Sequence, residues 1–148
     1  MAALCYRWLA NFRLPPGLSP GWHPVRLRFA DSDFGTALRI AVDMPVTVEQ
    51  LELVAVCDGR TWKVGEVDAA TGGRVSCWVA GLAENADRAN VAVLVDGRKT
   101  VVDFVGDLDG KGLRQVNAAL PAAVGKGPRR CQVECGGVKT GELTVEVV

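Results

Sequence analysis

The sequence has one histidine and three serines, Ser19, Ser32 and Ser76, among its 148 residues. One imidazole leaves little room for a His-rich metal site. No serine sits in a nucleophile-elbow motif. The chain carries no net charge, with 17 Lys and Arg against 17 Asp and Glu. Proteins built around nucleic acid or an anionic membrane need a basic excess, so neither partner is expected. No apolar run reaches the roughly 18 residues of a membrane span, so no membrane insertion is expected. The opening residues MAALCYRWLAN have no basic leader and are broken by Arg7. They do not read as a signal peptide. No GxxxxGK[ST] loop, strand–GxGxxG–helix unit or CxxC pair is present. No cofactor is implied.

What the chain has is punctuation and alternation. It holds 17 glycines and 7 prolines, and 49% of its residues are hydrophobic. That hydrophobic share belongs to a globular chain. Apolar residues recur with period two, the mark of half-buried strands. Val25, Leu27 and Phe29 alternate with Arg26 and Arg28. Leu38, Ile40 and Val42 alternate with Arg39 and Ala41. The same holds for Val75–Val79, Cys131–Cys135 and Leu143–Val147. One face in a core and one in water indicates antiparallel sheets. Asp58-Gly59, Asp96-Gly97 and Asp109-Gly110 separate apolar runs and suit tight turns. Residues 116–123 fit both a helical stripe and a strand, but Pro121 would break a helix there. Only Leu82–Arg88 reads as one or two turns of helix.

Part of the sequence repeats. Leu9–Gly35 set against Gln115–Gly141 gives five identities: Asn11, Leu14, Pro15, Gly21 and Gly35. Five is modest for a stretch of that length, but the grammar is shared: strand, Leu-Pro, small-residue loop, alternating strand, Gly, alternating strand. After the last Gly the phase slips by one residue. Residues 1–45 therefore read as the C-terminal half of a repeat plus the linker Asp43-Met44-Pro45, and residues 46–148 as a complete unit.

In that second unit Val91-Ala92-Val93-Leu94-Val95-Asp96-Gly97 looks like a central strand and its turn. Val101–Val105 follows, and Leu113–Pro121 is a polar-apolar strand ending in Pro. Then come Arg130–Gly137 with its Gly-Gly turn and the closing strand Leu143–Val147. These motifs resemble the IPT/TIG family of immunoglobulin-like domains. The resemblance is strongest over 91–148 and weaker over 51–81, where Gly72-Gly73 only partly echoes the family's opening turn. It implies an all-β, immunoglobulin-like antiparallel β-sandwich, commonly in secreted or cell-surface proteins. About seven short strands with regular turns point to a sandwich independently. A unit of about 100 residues can bury its own core. Three strands in residues 1–45 leave an apolar face of Tyr6, Trp8, Ala10, Phe12, Leu14, Val25, Leu27 and Phe29 to be covered. Missing upstream sequence, the second unit or a second copy in a homodimer could cover it.

The five cysteines are Cys5, Cys57, Cys77, Cys131 and Cys135. An odd count leaves at least one unpaired in a monomer and leans towards a reducing compartment. Cys131 and Cys135 would lie about 13 Å apart along a strand, too far to share a metal or a bond. Two readings stand: buried free thiols, or one disulfide joining Cys57 or Cys77 to Cys131 or Cys135. Nothing positions a thiol beside His23, which reads as a loop residue. Asp103, Asp107 and Asp109 leave a calcium loop open, although the EF-hand register places Val105 and Val116 where carboxylates belong. Arg26, Arg28 and Arg39 share an outward face. Trp62 and Trp78 fall outside the expected core, as loop-packed side chains or as ligand contacts. The chain is thus expected to be no enzyme. It reads as a spacer, docking or adhesion module of a larger bacterial protein, its partners being other domains or another protein. The alternative is a carbohydrate-binding accessory domain of a glycan-active enzyme, using Trp62 and Trp78.

Overall fold

The computed structural model describes residues 11–70 and 72–148. Cys5, Tyr6, Trp8 and Ala10 lie outside the described residues. The chain divides into two compact units, Met1–Met44 and Pro45–Val148.

The first unit carries a two-stranded antiparallel sheet, β1 (Gly21–Val25) and β2 (Leu38–Val42), with Gly21 opposite Val42 and Val25 opposite Leu38. On one face Arg39 lies over the Trp22 ring, 4.9 Å from its centroid. On the other, Phe12, Leu14, Leu18, His23, Val25 and Ile40 line a concavity of about 310 Å³. Alternation through Val25–Phe29 predicts one strand, but the ladder stops at Val25. Among the described residues no strand pairs with 26–29, and alternation alone makes no ladder.

The second unit is an all-β sandwich. Its strands are β3 (Glu52–Asp58), β4 (Glu66–Val67), β5 (Arg74–Ala80), β6 (Val91–Val95), β7 (Arg98–Lys99), β8 (Val102–Leu108), β9 (Leu113–Ala119), β10 (Gly127–Cys135), β11 (Val138–Lys139) and β12 (Leu143–Val147). One sheet runs β3-β5-β9-β8. The other runs β4-β12-β10-β6-β7, with β11 also on β10. All these pairings are antiparallel except β4 with β12. The alternating runs at 75–79, 131–135 and 143–147 all form strands, and residues 113–119 take the strand option. Asp96 and Gly97 both have positive φ, at 48° and 76°. They supply the two left-handed residues that the β6–β7 hairpin needs.

The core between the sheets is narrow in chemistry. Its largest fully buried side chains are nine valines and three cysteines, including Val75, Cys77, Val93, Val116, Cys131, Val133 and Val145. β-Branched side chains suit a pleated interior. Trp62 and Trp78 stay outside it.

No helix occurs among the described residues. The turn of helix expected at 82–88 is replaced by reverse turns, and Arg114 is the cause. Its side chain is buried, and Nη2 donates to the Ala86 carbonyl at 2.9 Å and Nη1 to Glu84 at 3.4 Å. Nη1 also donates to the Ala83 carbonyl, and Nε to Gly106 at 2.7 Å. The Ala83 and Glu84 carbonyls, which a helix over 82–88 would satisfy internally, accept instead from a guanidinium on another strand.

Candidate functional site

The outward face of the β3-β5-β9-β8 sheet carries an aromatic and amide surface. Trp78 lies opposite Gln115 and Ala55, and Ser76 lies opposite Asn117 and Cys57. Phe104 stands opposite Asn117 on the next strand, brought there by a bulge between Val102 and Phe104. The Asn117 Oδ1 accepts from Ser76 Oγ and from Gln115 Nε2, both at 2.7 Å. Two donors fix that amide and tie β5 to β9. Ser76 is fully buried although it sits on the outward side. Trp78 is half-buried and approaches the Cys57 sulfur through its indole N–H. Phe104 remains 47% exposed and, with Asp87, Arg88 and Asp103, lines an open concavity of about 490 Å³. Phe104 carried no signal in the alternation, because a bulge reverses the phase of a strand.

Trp62 belongs to a separate loop. β3 ends at the buried Asp58, whose Oδ1 accepts from the amides of Arg60 and Thr61 at 2.8 and 2.7 Å and whose Oδ2 accepts from the Asp68 amide at 3.0 Å. Burial pushes the Asp58 carboxyl up, but the amides of Thr61, Asp68 and Arg60 outweigh it and hold it below the ordinary Asp value. Inside this loop Trp62 adopts φ 64°, and its amide donates to the Asp58 carbonyl at 3.0 Å. A non-glycine residue in that region is held there by its surroundings. The ring is half exposed. Neither tryptophan lines the Phe104 concavity.

The four described cysteines are buried free thiols. Cys77 on β5 and Cys131 on β10 come from opposite sheets and lie within electrostatic reach of each other. Burial drives the Cys77 thiol strongly up and the Cys131 thiol up to about 12. Burial also raises Cys57 and Cys135. The thiolate is the reactive form. Peptide mapping after iodoacetamide treatment of native protein should therefore find Cys57, Cys77, Cys131 and Cys135 unlabelled, and labelled once denatured. Labelling of Cys77 in the folded protein would contradict this.

The remaining candidates are local. His23, expected in a loop, instead lies in β1 opposite Ile40, because the strand begins at Gly21, and it donates from Nε2 to the Ser19 carbonyl at 2.8 Å. Asp103 pairs with Arg74, and the Asp109 carboxylate accepts from the amides of Lys111 and Leu113 at 2.8 Å, capping its hairpin. Asp103, Asp107 and Asp109 are therefore not gathered around a cation. Among the described residues no group of three His, Cys, Asp or Glu side chains could hold a metal. Arg28 donates from Nε to the Ser32 carbonyl at 3.0 Å and lies over Phe34.

Comparison with protein-family models, with characterised proteins and with solved structures finds no match to this chain.

Proposed function

We propose that residues 46–148 are a non-catalytic immunoglobulin-like module and that the chain serves as a docking or spacing element of a larger protein. Strand order supports the fold reading. The sequence β3-β5-β9-β8 against β12-β10-β6 follows the A-B-E-D against G-F-C arrangement of constant-type domains. Val93 occupies the third strand's core position, where antibody domains keep a tryptophan. The IPT/TIG likeness stays with the sequence motifs that carry it.

Residues 1–45 fit the reading of a half-repeat. Gly21–Val25 pairs with Leu38–Val42 as Gly127–Cys131 pairs with Leu143–Val147. The second hairpin is shorter by one residue between its strands, and the difference falls before Gly35, which matches Thr140, and not after it as the sequence alignment places it. The Gly35 amide meets the Leu27 carbonyl at 2.9 Å, and the Thr140 amide meets the Val133 carbonyl at 2.9 Å. Ala30 and Gly136 occupy matching turn positions, with φ 48° and 58°.

The observation that carries a docking role is the apolar surface left on this half. Phe12, Leu27, Phe29 and Leu38 are 57%, 61%, 88% and 70% exposed, and Phe34 packs separately against Arg28. Clustered exposed apolar side chains mark interaction surfaces. The aromatic and amide face around Trp78, Gln115 and Phe104 favours the second reading, carbohydrate binding. An oligosaccharide array probed with the full chain separates the two. The docking reading expects no retention. Retention lost in Trp62→Ala or Trp78→Ala would establish the second reading instead.

A further inference from the structure

The two matching hairpins part company at one point. β10 runs on to Cys135 with β6 along the edge opposite β12, so that Cys131–Cys135 pairs with β6 from Val95 to Val91. The counterpart of that stretch is residues 25–29, where the ladder ends. Val133 and Cys135 are fully buried, while Leu27 and Phe29 are 61% and 88% exposed. In an antiparallel strand the amide and carbonyl of one residue point the same way, and successive residues alternate. The Leu27 carbonyl accepts from the Gly35 amide, and the Phe29 amide donates to Ser32 Oγ at 3.3 Å. Continuing that alternation past Val25 directs the amides and carbonyls of Arg26 and Arg28 to the opposite edge, and no strand among the described residues pairs with them.

We propose that residues 25–29 accept an added antiparallel strand from another polypeptide whose apolar residues alternate with acidic ones. Strand addition takes affinity from the backbone ladder and specificity from alternate side chains. Charge selects the occupant here. The outward side chains of β10 over the matching stretch are Gln132 and Glu134, and Glu134 is held by Lys99 of β7 at 2.8 Å. In the first unit the matching positions are Arg26 and Arg28, so the polarity of the acceptor is reversed. A strand carrying acids opposite these arginines is favoured. A second copy of this chain is not: pairing the same edge with itself sets Arg26 against Arg28, and like charges directly opposite destabilise a sheet. The β6–β7 hairpin of a second copy is already paired and would present Lys99 to Arg28.

The proposal rests on the docking reading but fails separately from it, because the docking reading requires no acidic strand. The test titrates the full chain into labelled nonapeptides of alternating valine and glutamate, or valine and lysine, followed by fluorescence anisotropy. The glutamate peptide should bind about tenfold more tightly or better, given two opposed charge pairs. Added salt should reduce that preference. The double variant Arg26→Glu/Arg28→Glu should reverse it. Arg28→Pro, which removes an edge amide as well as the charge, should bind more weakly than Arg28→Ala. An unchanged near-ultraviolet circular dichroism spectrum, to which Trp22 beneath Arg39 in the first unit contributes, controls for misfolding there. Equal binding of both peptides, binding of neither, or a homodimer that Arg28→Pro dissociates would each overturn the proposal.

Discussion

Replacing Arg114 with methionine should lower the stability of the larger unit by about 4 kcal/mol, a fall in Tm of roughly 15–20 °C. The side chain is 7% exposed and spans carbonyls of three separate residues in the 83–86 turn and one at Gly106. Methionine fills most of the volume but donates nothing. The carbonyls left behind are then desolvated without partners, which costs more than the net value of the bonds. Arg114→Lys should recover only part of the loss, since one ammonium cannot present the planar fork that reaches Gly106 and Ala86 together. Denaturant unfolding measures the change, and hydrogen exchange at residues 82–90 should accelerate. A loss under about 1 kcal/mol would show that water replaces the guanidinium without cost.

Gly81→Ala should cost about 3 kcal/mol or more, combining left-handed backbone strain of about 1–2 kcal/mol with a steric clash. Gly81 follows β5 with φ +82°, and an added Cβ would lie 2.1 Å from the Gln50 carbonyl oxygen. That oxygen belongs to the backbone leading into β3, so it cannot swing aside as a side chain would. Asparagine tolerates the left-handed region better than alanine. Gly81→Asn should therefore relieve the dihedral strain and keep the clash. If asparagine restores stability fully, the clash is absent. If both variants lose most of their stability, the contact with Gln50 dominates. Thermal denaturation of the three proteins decides between them.

Much of the sandwich was legible because alternation reports which side chains share a face. Val75, Cys77 and Val79 fell inwards and Trp78 outwards, as their spacing required. Turn chemistry was legible for the same local reason at Asp96-Gly97, while the turn at Gly136-Gly137 was implied by the family resemblance. The errors share a cause. The helix expected at 82–88 was lost to a guanidinium that reaches it from β9. The strand expected through Phe29 stopped where no described strand lies beside it. Phe104 emerged on the aromatic surface because a bulge shifted its strand against β9.

By itself, then, the amino-acid sequence determined the all-β class, the inward faces of β5, β10 and β12, and the turn at Asp96-Gly97. Each follows from local stereochemistry, a two-residue side-chain period and glycine or Asp-Gly turns. Only tertiary structure decided which strands pair, which polar groups are buried and satisfied, and where a ladder ends. Ladder hydrogen bonds and desolvation are set by whatever neighbour arrives from elsewhere in the chain, and no local pattern encodes that neighbour.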